Sequence, residues 1–271
     1  LPSLPKGTPM ADEITPRDKP TALADLTGAP YTEVMRHLHD VLRPNSYFEI
    51  GTDAGFSLAL SSCPSVAVDP AFKLDDLTRI KMILAKPAMA FYRMPSDTFF
   101  EQYDLTAILG RKVDIAFLDG MHRCEFLLRD FYNIERHCKP NSIIAVHDCL
   151  PVEEAITYRK TPGPGGASAV TSVPYRHNWW TGDVWRTALL LKRVRPDLHI
   201  TALDAQPSGL LLITNLNPDD DSLRLEYADH VRAMMSWRLS AIGLAEYFAE
   251  MEVEPTVNIQ TEEDLTARFW L

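Results

Sequence analysis

The sequence predicts a doubly wound α/β domain on a mostly parallel, seven-stranded sheet. Three observations carry this. Short apolar runs alternate with amphipathic segments from residue 47 to residue 147. The runs are apolar throughout rather than alternating, as in strands buried on both faces. A final pair of apolar runs is joined only by Gln206-Pro207-Ser208-Gly209, a link short enough to require one antiparallel strand.

The elements follow in order. Residues 1–30 are proline-rich and aperiodic and read as an extended arm. From Tyr31 to Leu42, Val34, Leu38, Val41 and Leu42 recur at helical spacing, and Pro44 ends the helix. Tyr47–Ile50 is a strand and Gly55–Ser62 a helix. Val66–Val68 is a strand and Leu74–Leu84 a helix. Met89–Tyr92 is a strand, with a helix from about Asp97 to Leu109. Val113–Leu118 is followed by a helix from Cys124 to His137, and Ile143–Val146 is the fifth strand. Pro151–Trp180, with its Pro162–Gly166 run, breaks the rhythm as lids do. A helix over Asp183–Val194 precedes the strands His199–Leu203 and Leu210–Thr214. Leu223–Met251 reads as helical, broken near Gly243. The organisation expected is an arm (1–30), a ligand-binding domain (31–217) and a C-terminal helical extension (218–271).

Composition excludes several classes. The chain has 271 residues, with 27 Lys and Arg against 37 Asp and Glu, a formal charge of −10. That balance opposes a nucleic-acid binder, which needs clustered cations. No apolar run approaches the length of a membrane span, and no apolar run follows a basic stretch near the start. Cys63, Cys124, Cys138 and Cys149 form no C-x-x-C pair and read as reduced thiols. The expectation is a cytoplasmic protein acting on a small molecule, without nucleic-acid or membrane partners. The Met- and Trp-rich C-terminal helices suit a dimer face, hence a homo-oligomer.

The first strand runs into Glu49-Ile50-Gly51-Thr52-Asp53-Ala54-Gly55. A strand feeding a glycine turn is where open α/β sheets bind ligands. A dinucleotide site needs a second glycine where Asp53 stands, because a carboxylate there repels pyrophosphate. The turn suits a phosphate-free, partly cationic ligand such as S-adenosylmethionine (SAM). Asp69, at the tip of the second strand, is placed to accept hydrogen bonds from a ribose.

These residues, with Ser96-Asp97, Val113–His122 and Ile143–Asp148, resemble the class I SAM-dependent methyltransferases, in their small-molecule branch. The resemblance covers about Tyr31 to Leu216. It implies transfer of a methyl group to a small acceptor, to oxygen for preference. It implies a cofactor site of Glu49, Gly51, Thr52, Gly55, Asp69, Ser96, Asp97 and Asp119.

Asp119 closes the fourth strand, with His122 close by, and His147-Asp148 closes the fifth. Neighbouring strands lie about 4.8 Å apart, so the resemblance brings these groups to one mouth. Asp119, His147 and Asp148 suit Mg2+ or another hard divalent cation. The same groups suit metal-free proton transfer, with His147 or His122 as base and Asp119 orienting it. His147 and Asp148 face one site only if the strand has already ended. In Tyr175–Arg186, Trp179 and Trp180 suit an aromatic wall, Arg176 or Arg186 an anionic group, and Gly182–Trp185 capping and packing. A nicotinamide-dependent oxidoreductase and a non-catalytic SAM-binding subunit are the rival readings.

Overall fold

The computed structural model describes residues 22–159, 176 and 179–271. The Pro162–Gly166 run lies outside them. Seven strands form one sheet in the order β3-β2-β1-β4-β5-β7-β6. They are β1 (Tyr47–Ile50), β2 (Ser65–Val68), β3 (Met89–Tyr92), β4 (Val113–Leu118), β5 (Cys138–His147), β6 (His199–Leu203) and β7 (Leu210–Thr214). The first five are parallel, and β7 runs antiparallel to both β5 and β6. Sequential strands build outward from β1 in both directions, so the order reverses between β1 and β4. That reversal opens a crevice at the carboxyl ends of the strands.

The first helix, α1, spans Tyr31–Leu42 as the periodicity predicts. After β1 the expected helix over Gly55–Ser62 is only a 3-10 turn, Leu58–Leu60. Gly55 has φ +81°, outside helical range, and Pro64 limits the segment. The ammonium of Lys86 hydrogen-bonds the carbonyls of Leu58 and Ser61, satisfying acceptors that a longer helix would have used. Helix α2 (Asp76–Ala85) is capped by Asp75, whose carboxylate accepts from Thr78 N–H. The helix expected over 97–109 divides into α3 (Ser96–Gln102) and α4 (Leu105–Leu109), because Asp104 caps a new start. Helix α5 (Cys124–Glu135) follows β4, and α6 (Trp185–Val194) precedes β6.

Two apolar layers sandwich the sheet. One holds Phe48, Ile50, Leu118 and Val146 under α5 and α6. The other holds Tyr47, Ala67, Ile115 and Phe117 under α1. The C-terminal helices α7 (Ser222–Leu225), α8 (Tyr227–Ser236), α9 (Leu239–Ile242) and α10 (Leu244–Glu250) join the first layer through Leu223, Met234, Leu239 and Tyr247. Helix α11 (Glu262–Arg268) joins the second through Leu265. Among the described residues no helix is long and apolar enough to cross a membrane. All four cysteines are buried and unpaired.

Candidate active site

The crevice is built from loops at the carboxyl ends of β1, β2, β4 and β5. Gly51 has φ +84°, and a side chain there would lie 2.0 Å from the Asp119 carbonyl. Only glycine lets the turn after β1 pack against the end of β4. Asp53, with φ +46°, donates its N–H to Asp69 Oδ2 at 2.8 Å, and Ala71 N–H reaches Asp69 Oδ1 at 2.6 Å. Asp69 therefore pins the glycine turn with Oδ2 and its own loop with Oδ1, each oxygen retaining a lone pair for a further donor.

Glu49 is fully buried at the end of β1. Its Oε2 accepts from the Tyr47 hydroxyl at 2.5 Å, while Oε1 and the neighbouring Thr52 hydroxyl have no partner. Burial pushes the Glu49 carboxyl up to about 7, against hydrogen bonds that favour its anion. Asp53, Asp69, Asp119 and Asp148 lie around the same mouth, with Lys73 on Asp53 and His122 between Asp119 and Asp148. Unpartnered acceptors in an acidic crevice fit the ammonium and sulfonium of SAM and disfavour a pyrophosphate.

Ser96 and Asp97 begin α3. Arg129 on α5 holds Asp97 in a fork, Nε to Oδ1 at 2.8 Å and Nη2 to Oδ2 at 2.7 Å. Its neighbour Asp130, buried and pushed up to about 7 by that burial, meets Ser96. The start of α3 is thus clamped twice by α5.

The acids and histidines do converge. Strand β5 ends at His147, and Asp148 takes φ +59°, which turns its side chain back into the mouth beside His147. This answers the alternation problem, because the strand has ended. The Ser208 hydroxyl donates to Asp148 Oδ1. His122, also at positive φ, bridges the two acids. Its Nε2 lies 3.2 Å from Asp119 Oδ1, and its Nδ1 lies 3.2 Å from Asp148 Oδ2 and 2.8 Å from the Trp180 carbonyl. All three neighbours are acceptors, so both ring nitrogens carry protons and His122 is a cation. Burial pulls it down, but Asp148, Asp119 and the carbonyl hold it up at about 10. Burial raises the Asp119 carboxyl, yet His147 and His122 outweigh it and leave Asp119 ionised.

His147 is different. It is buried, and neither of its nitrogens has a hydrogen-bond partner. Its Nδ1 lies 3.5 Å from Asp119 Oδ1, the oxygen already paired with His122, and 3.7 Å from Asp148 Oδ1. Burial lowers its proton affinity, but the two carboxylates more than restore it. The ring of Tyr31 lies against it, centroids 3.9 Å apart. Sequence reasoning missed Tyr31. Its place after Ala29-Pro30 at a helix start signals only a helix.

The ligand atoms of Asp119, His122 and Asp148 lie within 4.8 Å of one another. The cluster therefore has His122 where the sequence expectation, Asp119, His147 and Asp148, had His147. A second acidic group, Cys124, Glu125 and Asp183, has the same span. Arg159 and Arg186 already neutralise it, at 2.5 Å and 2.7 Å from Asp183 Oδ2. It acts as a hub that fixes the His122 loop: Asp183 N–H donates to the His122 carbonyl at 3.2 Å. Gly182 fits beneath, where a side chain would lie 1.8 Å from that oxygen. Trp180 stacks on His122 at 4.9 Å. Arg176 is buried and bonded to Asp25 and Glu153, and Arg186 to Asp183, so both guanidiniums already have acidic partners.

A family model described as a methyltransferase domain matches residues 48–149, the stretch from β1 to the end of β5. No curated protein matches the chain. Similar solved structures include an O-methyltransferase from Bacillus cereus in complex with SAH, the demethylated product of SAM. It is 16% identical, covers 70% of this chain and 83% of its own, and has a TM-score of 0.47. The O-methyltransferase TomG from Streptomyces achromogenes, involved in tomaymycin synthesis and in complex with SAM, is 15% identical. It covers 72% and 84%, with a TM-score of 0.47. An SAH-bound methyltransferase from Podospora anserina is 15% identical and covers 68% and 77%, with a TM-score of 0.49.

Proposed function

We propose, from the premise that residues 48–149 are a SAM-dependent methyltransferase domain, that this chain methylates a hydroxyl oxygen of a small molecule with His147 as the base. One observation carries the reading. His147 is buried beside the acidic mouth with both nitrogens unpartnered, whereas His122 is saturated by acceptors.

SAM supplies an electrophilic methyl group when bound. The protein's work is alignment, exclusion of water and handling of one proton. Glu49 and Thr52 receive the ammonium end, the Gly51 turn lets the ligand approach the backbone, and Asp69 takes the ribose hydroxyls. Ser96 borders the adenine, with Asp97 behind it on Arg129. An acceptor hydroxyl is a weak nucleophile until its proton leaves. His147 takes that proton, and Asp119 steadies the imidazolium that results. A cationic ligand entering the same mouth drives the resting proton off His147, which readies it as a base. His122, a fixed cation between Asp119 and Asp148, keeps those carboxylates in place.

The second reading is metal-assisted. It is favoured by the nitrogens of His147, which are buried without hydrogen-bond partners beside the carboxylates of Asp119 and Asp148. Asp119, His147 and Asp148 would hold a divalent cation such as Mg2+, which would lower the pKa of the acceptor hydroxyl. Acidic walls suit a neutral small acceptor better than nucleic acid, and four unpaired thiols suit the cytoplasm.

The test is SAH release on a panel of hydroxyl compounds, with and without EDTA, in wild type, His147→Ala and His122→Ala. Loss in His147→Ala with turnover indifferent to EDTA is the expected result. Loss on chelation, restored by Mg2+, would replace it with the metal reading. Wild-type activity in His147→Ala would remove the base.

A further inference from the structure

Residues 22–31 form a strap across the carboxyl edge of the sheet. Leu23 N–H donates to the Val152 carbonyl at 2.6 Å and Gly28 N–H to the Asp204 carbonyl at 3.2 Å. Ala29 N–H reaches the Thr256 hydroxyl at 2.8 Å. Tyr31 N–H donates to the Gln206 carbonyl at 3.0 Å, and Gln206 N–H returns the bond to Ala29 at 3.1 Å. Arg176 fastens the strap, bonding the Asp25 carboxylate and the Leu23 carbonyl at 2.9 Å each. Every anchor is specific, and the strap ends by delivering one aromatic ring into the mouth.

That ring does two things. Its face lies on the His147 imidazole at 3.9 Å and runs parallel to Phe117, 5.9 Å away. Burial first, and then the charges of Asp119, Asp148, Glu49 and Asp53, keep its hydroxyl protonated. The ring is only half-buried. The backbone N–H of Tyr31 is bonded to Gln206, but its hydroxyl is not tied to any side chain among the described residues. Its lone pairs are then left for whatever positive group sits between the turn and the histidine.

We propose that Tyr31 lines the methyl-transfer cleft, its ring fixing the plane of His147 and its oxygen standing beside the sulfonium methyl of SAM. This rests on the methyl-transfer reading of the same site. A methyl on a sulfonium carries partial positive charge, and a C–H···O contact to a phenol oxygen aims it along the transfer direction. SAH has neither the methyl nor the charge, so the contact discriminates between the two.

The experiment uses the full chain and needs no acceptor. Calorimetry measures SAM and SAH binding to wild type, Tyr31→Phe and Tyr31→Leu. Ultraviolet irradiation with methyl-tritiated SAM then labels side chains at the methyl group. The expected result is label on the tryptic peptide ending at Arg36 in wild type. The preference for SAM over SAH should fall about two- to fivefold in Tyr31→Phe, which keeps the ring. Tyr31→Leu should lose both label and preference. Label elsewhere, with unchanged preference in Tyr31→Phe, would overturn the role of Tyr31 and leave the methyl-transfer reading standing. Wild type that binds neither SAM nor SAH would overturn that reading, and this inference with it.

Discussion

Glu49→Gln should make the protein more stable at alkaline pH and a poorer binder of SAM. The buried Glu49 carboxyl is raised from its ordinary 4.5 to about 7 by burial. Its native form therefore holds a proton that the unfolded chain has lost between those values. Stability falls as pH rises through that window, because the native state binds more protons than the unfolded state. At about 1.4 kcal/mol per pH unit, the loss between roughly pH 5 and pH 8 is about 2–3 kcal/mol. Glutamine keeps the bond from Tyr47 but has no charge to bury. Urea unfolding of both proteins at the two pH values isolates the effect, because Asp130, raised for the same reason, is present in both. The midpoints should nearly coincide at pH 5 and separate at pH 8, with the variant higher. Equal separation at both values would refute the argument. Titration with SAM at pH 8 supplies the converse. A ligand ammonium on Glu49 should restore wild-type stability more than that of the variant.

Three further outcomes are expected. Asp69→Ala removes the acceptor for two backbone N–H groups as well as the ribose partner, and should weaken SAM binding by about 1–3 kcal/mol in calorimetry. Gly182→Ala drives a methyl into the His122 carbonyl, so SAH release should collapse while SAM affinity stays within about threefold. Glu135→Gln removes one of two carboxylates on the buried Arg195, which bonds both Glu135 oxygens at 3.0 and 2.9 Å and keeps Asp197 at 2.7 Å. Denaturant titration should register a loss of about 1–3 kcal/mol, because Asp197 still compensates the guanidinium.

The strands were legible because each is a continuous apolar run. The antiparallel β7 followed from a link too short for a crossover. Helix ends were less so. The split between α3 and α4 turns on Asp104, which reads equally well as a helix interior residue or a cap. The short turn at Leu58–Leu60 depends on Lys86, which comes from after α2 to bond its carbonyls. At the site, Asp119, His147 and Asp148 were placed by strand ends together with the strand order that the family resemblance implies. The difference between the two histidines was not, because it rests on a carbonyl at Trp180, far away in sequence. Tyr31 was hidden for a similar reason: its position is set by partners at Gln206 and Thr256.

The strap has a consequence for how the molecule is made. Its backbone partners belong to Val152, Asp204, Gln206 and Thr256, all synthesised long after it. On the ribosome, the earliest described residues must wait for nearly the last before they can dock. The sheet from β1 to β5 can assemble while the catalytic mouth still lacks Tyr31. The mouth therefore receives Tyr31 only after residues 204–256 have been made and can hold the segment before it.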